Sequence, residues 1–189
     1  MMDTKAADLG KLLTLEQDIR LSANLTELTH LICNRSREIV DFTQAALAIQ
    51  APSGQMRISG FSDIAVVDRT APLVAWLEQQ LVGLAAEPAF IAPSAEARET
   101  VVDLVPENIL VLPLYAPAKG LLGAFTVTRM QAFTDDEKSL LSHMAAVFAH
   151  AIAAHRDIPL LVRTKAAMSG RRKWAIVTAL FWRCCFRFT

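Results

Sequence analysis

Four histidines and three cysteines are the residues of this chain whose chemistry would be easiest to recognise from spacing. His143, His150 and His155 share the last helical stretch of the body, and His143 and His150 are seven apart, on one helix face. A zinc site needs such a pair plus a third ligand, usually at closer helical spacing, and no His-x-x-x-His or Cys-x-x-Cys occurs. The histidines, His30 included, therefore read as polar positions beside apolar seams, and no metal site is expected. Cys33 is the sole cysteine ahead of Cys184, so the body of the chain holds no internal disulfide. A thiol redox cycle needs a second thiol to release its intermediate, and Cys33 has none nearby in sequence. Cys184 and Cys185 are adjacent and would bridge each other only with strain. No glycine-rich phosphate cradle and no Gly-x-Ser-x-Gly elbow is present.

Composition narrows the field further. With 189 residues the chain has room for one ordinary domain and little more. Nineteen basic residues balance nineteen acidic ones, so no global field draws the protein toward nucleic acid. The start, Met-Met-Asp-Thr-Lys-Ala-Ala-Asp, lacks the apolar core of a cleavable signal, which places the expected globular part in the cytosol. Hydrophobic residues make up 53% of the chain, and part of that excess is concentrated between Trp174 and Phe188.

The elements that would position any site follow from periodicity. Leu9, Leu12, Leu13, Leu15 and Ile19 suggest a first helix, and Leu25, Leu28, Leu31, Ile32 and Ile39 a second, with Ser22 or Asn24 as N-cap. Ala45–Gln50 and Gln55–Phe61 form a predicted hairpin around the turn Ala51-Pro52-Ser53-Gly54, with Met56 and Ile58 on one side and Arg57 and Ser59 on the other. Pro72 opens a third helix whose buried stripe is Leu73, Val74, Leu77, Leu81 and Leu84. Ala89–Ala92 reads as a short strand and Ser94–Pro106 as a polar surface loop. Asn108–Tyr115 fits a strand buried on both faces, and Leu121–Arg129 returns beside it, with Gly123 marking a bulge or a close backbone approach. Thr134 followed by Glu137 is a capping box, and Leu140, Leu141, Met144, Val147, Phe148, Ala151 and Ile152 form the stripe of a long last helix.

Three stretches carry a family resemblance: Asn108-Ile-Leu-Val-Leu-Pro-Leu, Gly120-Leu-Leu-Gly-Ala-Phe-Thr-Val, and Ala132-Phe-Thr-Asp-Asp-Glu-Lys-Ser-Leu-Leu running on to Ala151-Ile-Ala-Ala-His-Arg. Together with the element order they resemble the GAF family over roughly three quarters of the chain. The resemblance implies an α+β fold related to PAS: an antiparallel sheet with helices on one face and a ligand pocket on the other. It also implies a sensory or regulatory role. Some GAF relatives reduce free methionine sulfoxide with cysteines around the pocket, and the single body cysteine disfavours that chemistry here. The cyclic-nucleotide type carries an Asn-Lys-x-n-Phe-x-x-x-Asp-Glu signature that is absent. The chromophore-attaching type needs a cysteine in the loop region, and residues 62–107 contain none.

Pockets combine apolar walls with a few polar groups that fix orientation. The candidates of that kind in the hairpin and loops are Arg57, Ser59, Arg69, Trp76, Arg98 and Tyr115. The expectation is a non-catalytic domain over residues 9–156 that binds a small molecule or partner protein of unknown identity and forms a homodimer. No particular cofactor is indicated. The alternatives are a small redox enzyme of the methionine sulfoxide type and a ligand-free dimerisation module.

The tail changes character after Pro159. Residues 157–173 carry Arg163, Lys165, Arg171, Arg172 and Lys173 with no acidic residue in that basic cluster, and Trp174–Trp182 has no charge. Nine apolar residues fall short of the about 20 that a spanning helix needs, and Arg183 and Arg187 interrupt the extension. Residues 174–189 therefore read as a membrane-surface segment or the first half of an anchor, with a truncated or frame-shifted end after Arg183; packing back on the domain is the third reading, which the basic cluster disfavours. Basic residues ahead of an inserting segment place the domain at the cytoplasmic face of the inner membrane. A cytosolic domain, basic stretch and anchor in this order resembles the N-terminal part of certain bacterial periplasmic adaptor proteins of efflux systems. Their lipoyl and barrel parts have no counterpart here, so no transport role carries over.

Overall fold

The computed structural model describes residues 2–91 and 108–156, with side chains from Leu9 onward. Helices α1 (Met2–Leu21) and α2 (Leu25–Arg35), the latter followed by a 3-10 turn at Ser36–Glu38, precede the hairpin β1 (Gln44–Gln50) and β2 (Met56–Phe61). Then come α3 (Pro72–Gln80), β3 (Ala89–Ile91), β4 (Asn108–Ala116) and β5 (Gly120–Arg129). Residues 135–156 form a last helix, α4. The strands make one antiparallel sheet in the order β2-β1-β5-β4-β3. The chain divides into the unit Met1–Ala153 and a second unit, Ala154–Thr189, of which only 154–156 are described. The basic stretch, the apolar tail and the loop residue Arg98 lie outside the described residues.

Local chemistry explains the element ends. Asn24 caps α2 by accepting the Glu27 amide at 2.9 Å, while Glu27 accepts the Ala23 amide at 2.7 Å. The other candidate cap, Ser22, closes α1 instead, donating to the Ile19 carbonyl at 2.7 Å. Pro72 occupies the first turn of α3, where its missing N–H has no partner to lose. Gly54 takes a φ of 86° in the β1–β2 turn, a conformation that costs an L side chain about 1–2 kcal/mol. The capping box of α4 forms as its spacing predicts: the Glu137 amide donates to Thr134 Oγ1 at 3.3 Å, and the Thr134 amide to Glu137 Oε2 at 2.8 Å.

Two cores flank the sheet. On one face α1, α2 and α4 pack over β1, β4 and β5 through Leu15, Ile19, Leu28, Ile32, Leu47, Leu112, Phe125, Met144 and Phe148. Phe125 and Phe148 meet edge to face with ring centroids 5.3 Å apart. Of the first helix's leucines, Leu15 is buried and Leu12 half-buried, whereas Leu9 and Leu13 are exposed. On the other face α3 lays Val74, Leu77 and Leu81 over Ala46, Ala48, Met56, Ile58, Ile109, Val111 and Ala124. Strand β4 is buried on both faces, alternating between the two cores.

Gly123 is both a bulge and a close approach. The β4–β5 register shifts beside it, between Leu114 and Tyr115, so Leu121 faces the α3 side and Leu122 the opposite one. A Cβ there would stand 2.2 Å from the Ala48 carbonyl oxygen, so only glycine lets β1 and β5 pair at that point.

Candidate functional site

The α3 face of the sheet carries the site geometry. An open cleft of about 550 Å³ lies between the β1–β2 turn and the C-terminal end of α3. Its polar wall includes Gln50, Ser53, Gln55, Arg57, Glu78 and Gln79. Its apolar wall is Met56, Leu81, Val82, Leu84 and Leu121, and four of these (Met56, Leu81, Leu84 and Leu121) also pack into the α3-side core. The cleft thus opens directly onto that core. Apolar walls with a few polar groups are what a small-molecule pocket requires.

Glu78 organises the polar wall. Its Oε1 accepts the backbone amide of Ile58, on edge strand β2, at 2.9 Å, and its Oε2 accepts Arg57 Nη1 at 3.0 Å. Arg69 Nη1 approaches Oε1 to 3.6 Å. Arg57 also donates to Gln55 Oε1 at 3.3 Å. Both arginines are more than half exposed, so each ion pair is worth about 1 kcal/mol or less. The amide bond lies on the shielded side of the carboxylate and, as a hydrogen bond to a charged group, contributes about 1.5–3 kcal/mol. Glu78 therefore fixes α3 to the sheet edge chiefly through Ile58.

Below α3 the floor is made of small side chains. In the β1–β5 register Ala46 stands opposite Thr126 and Ala48 opposite Ala124. Thr126 also pairs with Val111 across β4, so its side chain shares the α3-side face with Ala46, Val111 and Ala124. Thr126 is 1% exposed, and its hydroxyl has no hydrogen-bond partner among the described residues. An unpaired buried hydroxyl costs about 1–3 kcal/mol, so its presence on this floor calls for a reason.

The five sequence candidates among the described residues separate in space. Arg57 lines the cleft, and Arg69 reaches the same carboxylate from outside it. Trp76 is half-buried in α3 and packs against the core of that face. Ser59 is exposed on β2, where the strand's bulge opposite Leu47 and Ala48 interrupts the alternation. Tyr115 is 48% exposed and borders a different groove of about 220 Å³ with Pro88, Pro113, Ser142, Ala145 and Ala146. Glu78 and Thr126 were not among the candidates. A glutamate in a helix reads as solvated, and Thr126 reads as an ordinary β-branched strand former.

Thiol chemistry meets a physical obstacle. Cys33 is fully buried, and burial pushes its thiol up to about 12, partly offset by a hydrogen bond with the Leu47 backbone. Catalytic cysteines need a depressed pKa and access. Among the described residues no group of three His, Cys, Asp or Glu could hold a metal ion, and no helix is long and apolar enough to cross a membrane.

A second charged centre sits at the root of α4. Arg129, buried at the end of β5, makes a two-pronged pair with Glu137 at 2.8 and 2.6 Å. Its guanidinium also donates to the carbonyls of Asp41, Gln131 and Ala132 and lies 4.2 Å from the Phe133 ring centroid. With every neighbour a main-chain oxygen, an ion-pair partner or a packed ring, this centre anchors α4 rather than facing a ligand.

No family model matches the chain, and no curated protein matches it. Solved structures do. The GAF domain of a phosphoenolpyruvate-protein phosphotransferase from Coxiella burnetii aligns with a TM-score of 0.59 at 19% identity, covering 79% of this chain and 94% of that one. The GAF domain of a putative sensor histidine kinase from Pseudomonas syringae aligns with a TM-score of 0.60 at 16% identity, over 86% and 96%. A phycoerythrobilin-bound GAF domain from a cyanobacterial phytochrome aligns with a TM-score of 0.58 at 13% identity, over 79% and 96%. Five antiparallel strands, three helices on one face and a fourth helix on the other agree with these neighbours: the chain has the GAF fold.

Proposed function

We propose that this protein is a regulatory, non-catalytic sensory domain that binds a small molecule on the α3 face of its sheet. The observation that carries the reading is the cleft of about 550 Å³, whose polar wall holds Arg57 and Glu78 and whose apolar wall continues into the α3-side core. Neighbours of the same fold occur in a sensor histidine kinase, a chemotaxis protein and phytochromes, which supports regulation over catalysis. Buried Cys33 supports the same choice against a thiol reductase. The domain acts as a homodimer, and its basic, aromatic tail holds it at the cytoplasmic face of the membrane.

Two measurements on the full chain test this. A thermal-shift screen with amino acids, small carboxylates, nucleosides and aromatic metabolites should find at least one that raises Tm, with the rise lost in Val82→Trp, which places an indole at the exposed rim of the cleft. A screen without a stabilising compound would favour a ligand-free dimerisation module. Flotation with anionic liposomes should carry the full chain and leave a fragment of residues 1–157 behind. Salt should weaken the association, because each basic residue near an anionic surface contributes about 1 kcal/mol by electrostatics. If neither floats, the membrane role falls.

A further inference from the structure

Resting on the ligand-binding reading, we infer the class of ligand: a small planar, largely apolar molecule with one hydrogen-bonding group, seated on the sheet beneath α3 with the Thr126 hydroxyl as its polar contact. Four features converge on this. First, Ala46, Ala48, Ala124 and Thr126 form a two-by-two block of directly opposed small side chains on strands β1 and β5. Cross-strand partners stand about 5 Å apart and neighbours along a strand about 7 Å, so the block offers a flat floor of single-ring dimensions. Larger side chains rim it: Ile58 and Phe61 on the β2 side, Val111 and Pro113 on the β4 side.

Second, the floor contains one polar atom, and that atom is unsatisfied. Thr126 Oγ1 is buried with no hydrogen-bond partner among the described residues. Its neighbour Thr128, two residues along the same strand, shows the contrast by donating to the Gln44 carbonyl at 3.2 Å. A hydroxyl both donates and accepts, so it pairs equally with a phenol, an amide or a ring nitrogen. Polar groups in a native interior are otherwise almost always satisfied, which makes the exception a signpost.

Third, the cover is a short element. Helix α3 has nine residues, below the about 12–15 at which a helix is stable by itself. Its N-cap, Ala71, supplies no side-chain hydrogen bond, so its position depends on Val74, Leu77 and Leu81 against the floor and on the Glu78–Ile58 bond. Fourth, Leu81, Met56 and Leu121 belong both to the cleft wall and to the core above the floor, so only apolar side chains stand between the two. A ligand entering past them exchanges apolar contacts of α3 for its own and satisfies Thr126. The displacement of α3 then pulls on Glu78, and through it on the edge strand, which couples occupancy to the domain's surface.

The test is a titration of the full chain with phenol and, as the probe lacking a hydrogen-bonding group, toluene, followed through the methyl resonances of Ala46, Ala48, Ala124 and Thr126. Phenol should shift these four methyls with a Kd roughly threefold to tenfold tighter than toluene, the worth of one neutral hydrogen bond. Thr126→Val should abolish the difference between the probes while raising the Tm of the unliganded protein. Thr126→Ser should keep it. Phenol binding at the four methyls that is unchanged in Thr126→Val would overturn the role of the hydroxyl. Shifts confined to the backbone amides of Arg57, Gln79 and Val82, recorded in the same titration, would overturn the seat beneath α3 and leave ligand binding in the cleft standing. No phenol-dependent shift anywhere in the domain would overturn the ligand class, and the thermal-shift screen would then decide the broader reading.

Discussion

Cys33 lies in the same core as Leu28, Ile32 and Leu47, where water does not reach and a thiolate would lose its hydration. Burial accordingly drives its thiol up to about 12, and the nucleophilic form is negligible at neutral pH. Native protein treated with iodoacetamide should therefore leave the Cys33 peptide unlabelled, with labelling appearing only in denaturant; rapid native labelling would reopen the thiol chemistry. Glu137 shows the opposite electrostatics. The Arg129 guanidinium, aided by the Thr134 amide and hydroxyl and opposed by burial, brings its carboxyl from 4.5 to about 2. A folded-state pKa below the unfolded one stabilises the fold above the unfolded value, and that contribution disappears as pH falls through the folded value. The wild-type Tm should thus fall between about pH 4.5 and 2, and Glu137→Gln should be less stable at pH 7 with a flatter acid dependence. Equal pH slopes would place the acid-sensitive group elsewhere. Half of this centre could be read locally: Thr134 and Glu137 are three apart, which is the capping box. Arg129 could be read less fully, because one of its carbonyl partners, Asp41, lies 88 positions earlier in the chain. Thr126 divides the same way: strand alternation turns it inward, but nothing local reveals that its hydroxyl lacks a partner.

At the scale of elements, the periodic segments were the readable ones. The stripes of α2, α3 and α4 and the alternation of β2 through Ser59 follow from one-sided burial, which leaves its mark along the chain itself. Which sheet face each helix covers left no such mark, and neither did the extent of α1, which begins at Met2 instead of near Leu9. Gly123 was readable in kind: a glycine inside a strand signals a bulge or a close contact, and here it is both. The Ala48 carbonyl that would meet an added Cβ is main chain in a paired strand and cannot swing aside. Gly123→Ala should cost about 3 kcal/mol, the upper part of the usual overpacking range, read as a lower denaturant midpoint at constant m-value. A loss under about 0.5 kcal/mol would mean that β1 and β5 are not held this close. The cleft was only partly readable, because Arg57 and Glu78 are brought together by the packing of α3 across the hairpin, at a sequence separation of 21.

For the whole molecule, periodicity by itself points only to a mixed α/β domain, the GAF resemblance implies the sheet-and-helix architecture, and the structure adds an asymmetry between the two sheet faces. One face of the sheet is closed by three helices and a large continuous core. The other is closed by the short α3 over a floor of alanines and one unsatisfied threonine, with a cleft at its edge. Native mass spectrometry of the full chain, purified without denaturation, tests the regulatory reading most directly. A ligand-binding sensory domain predicts a dimer that retains a small molecule in substoichiometric or full amount and releases it on denaturation, with retention lost in Val82→Trp. A bare chain mass in every charge state, unchanged after incubation with a metabolite extract, would contradict it.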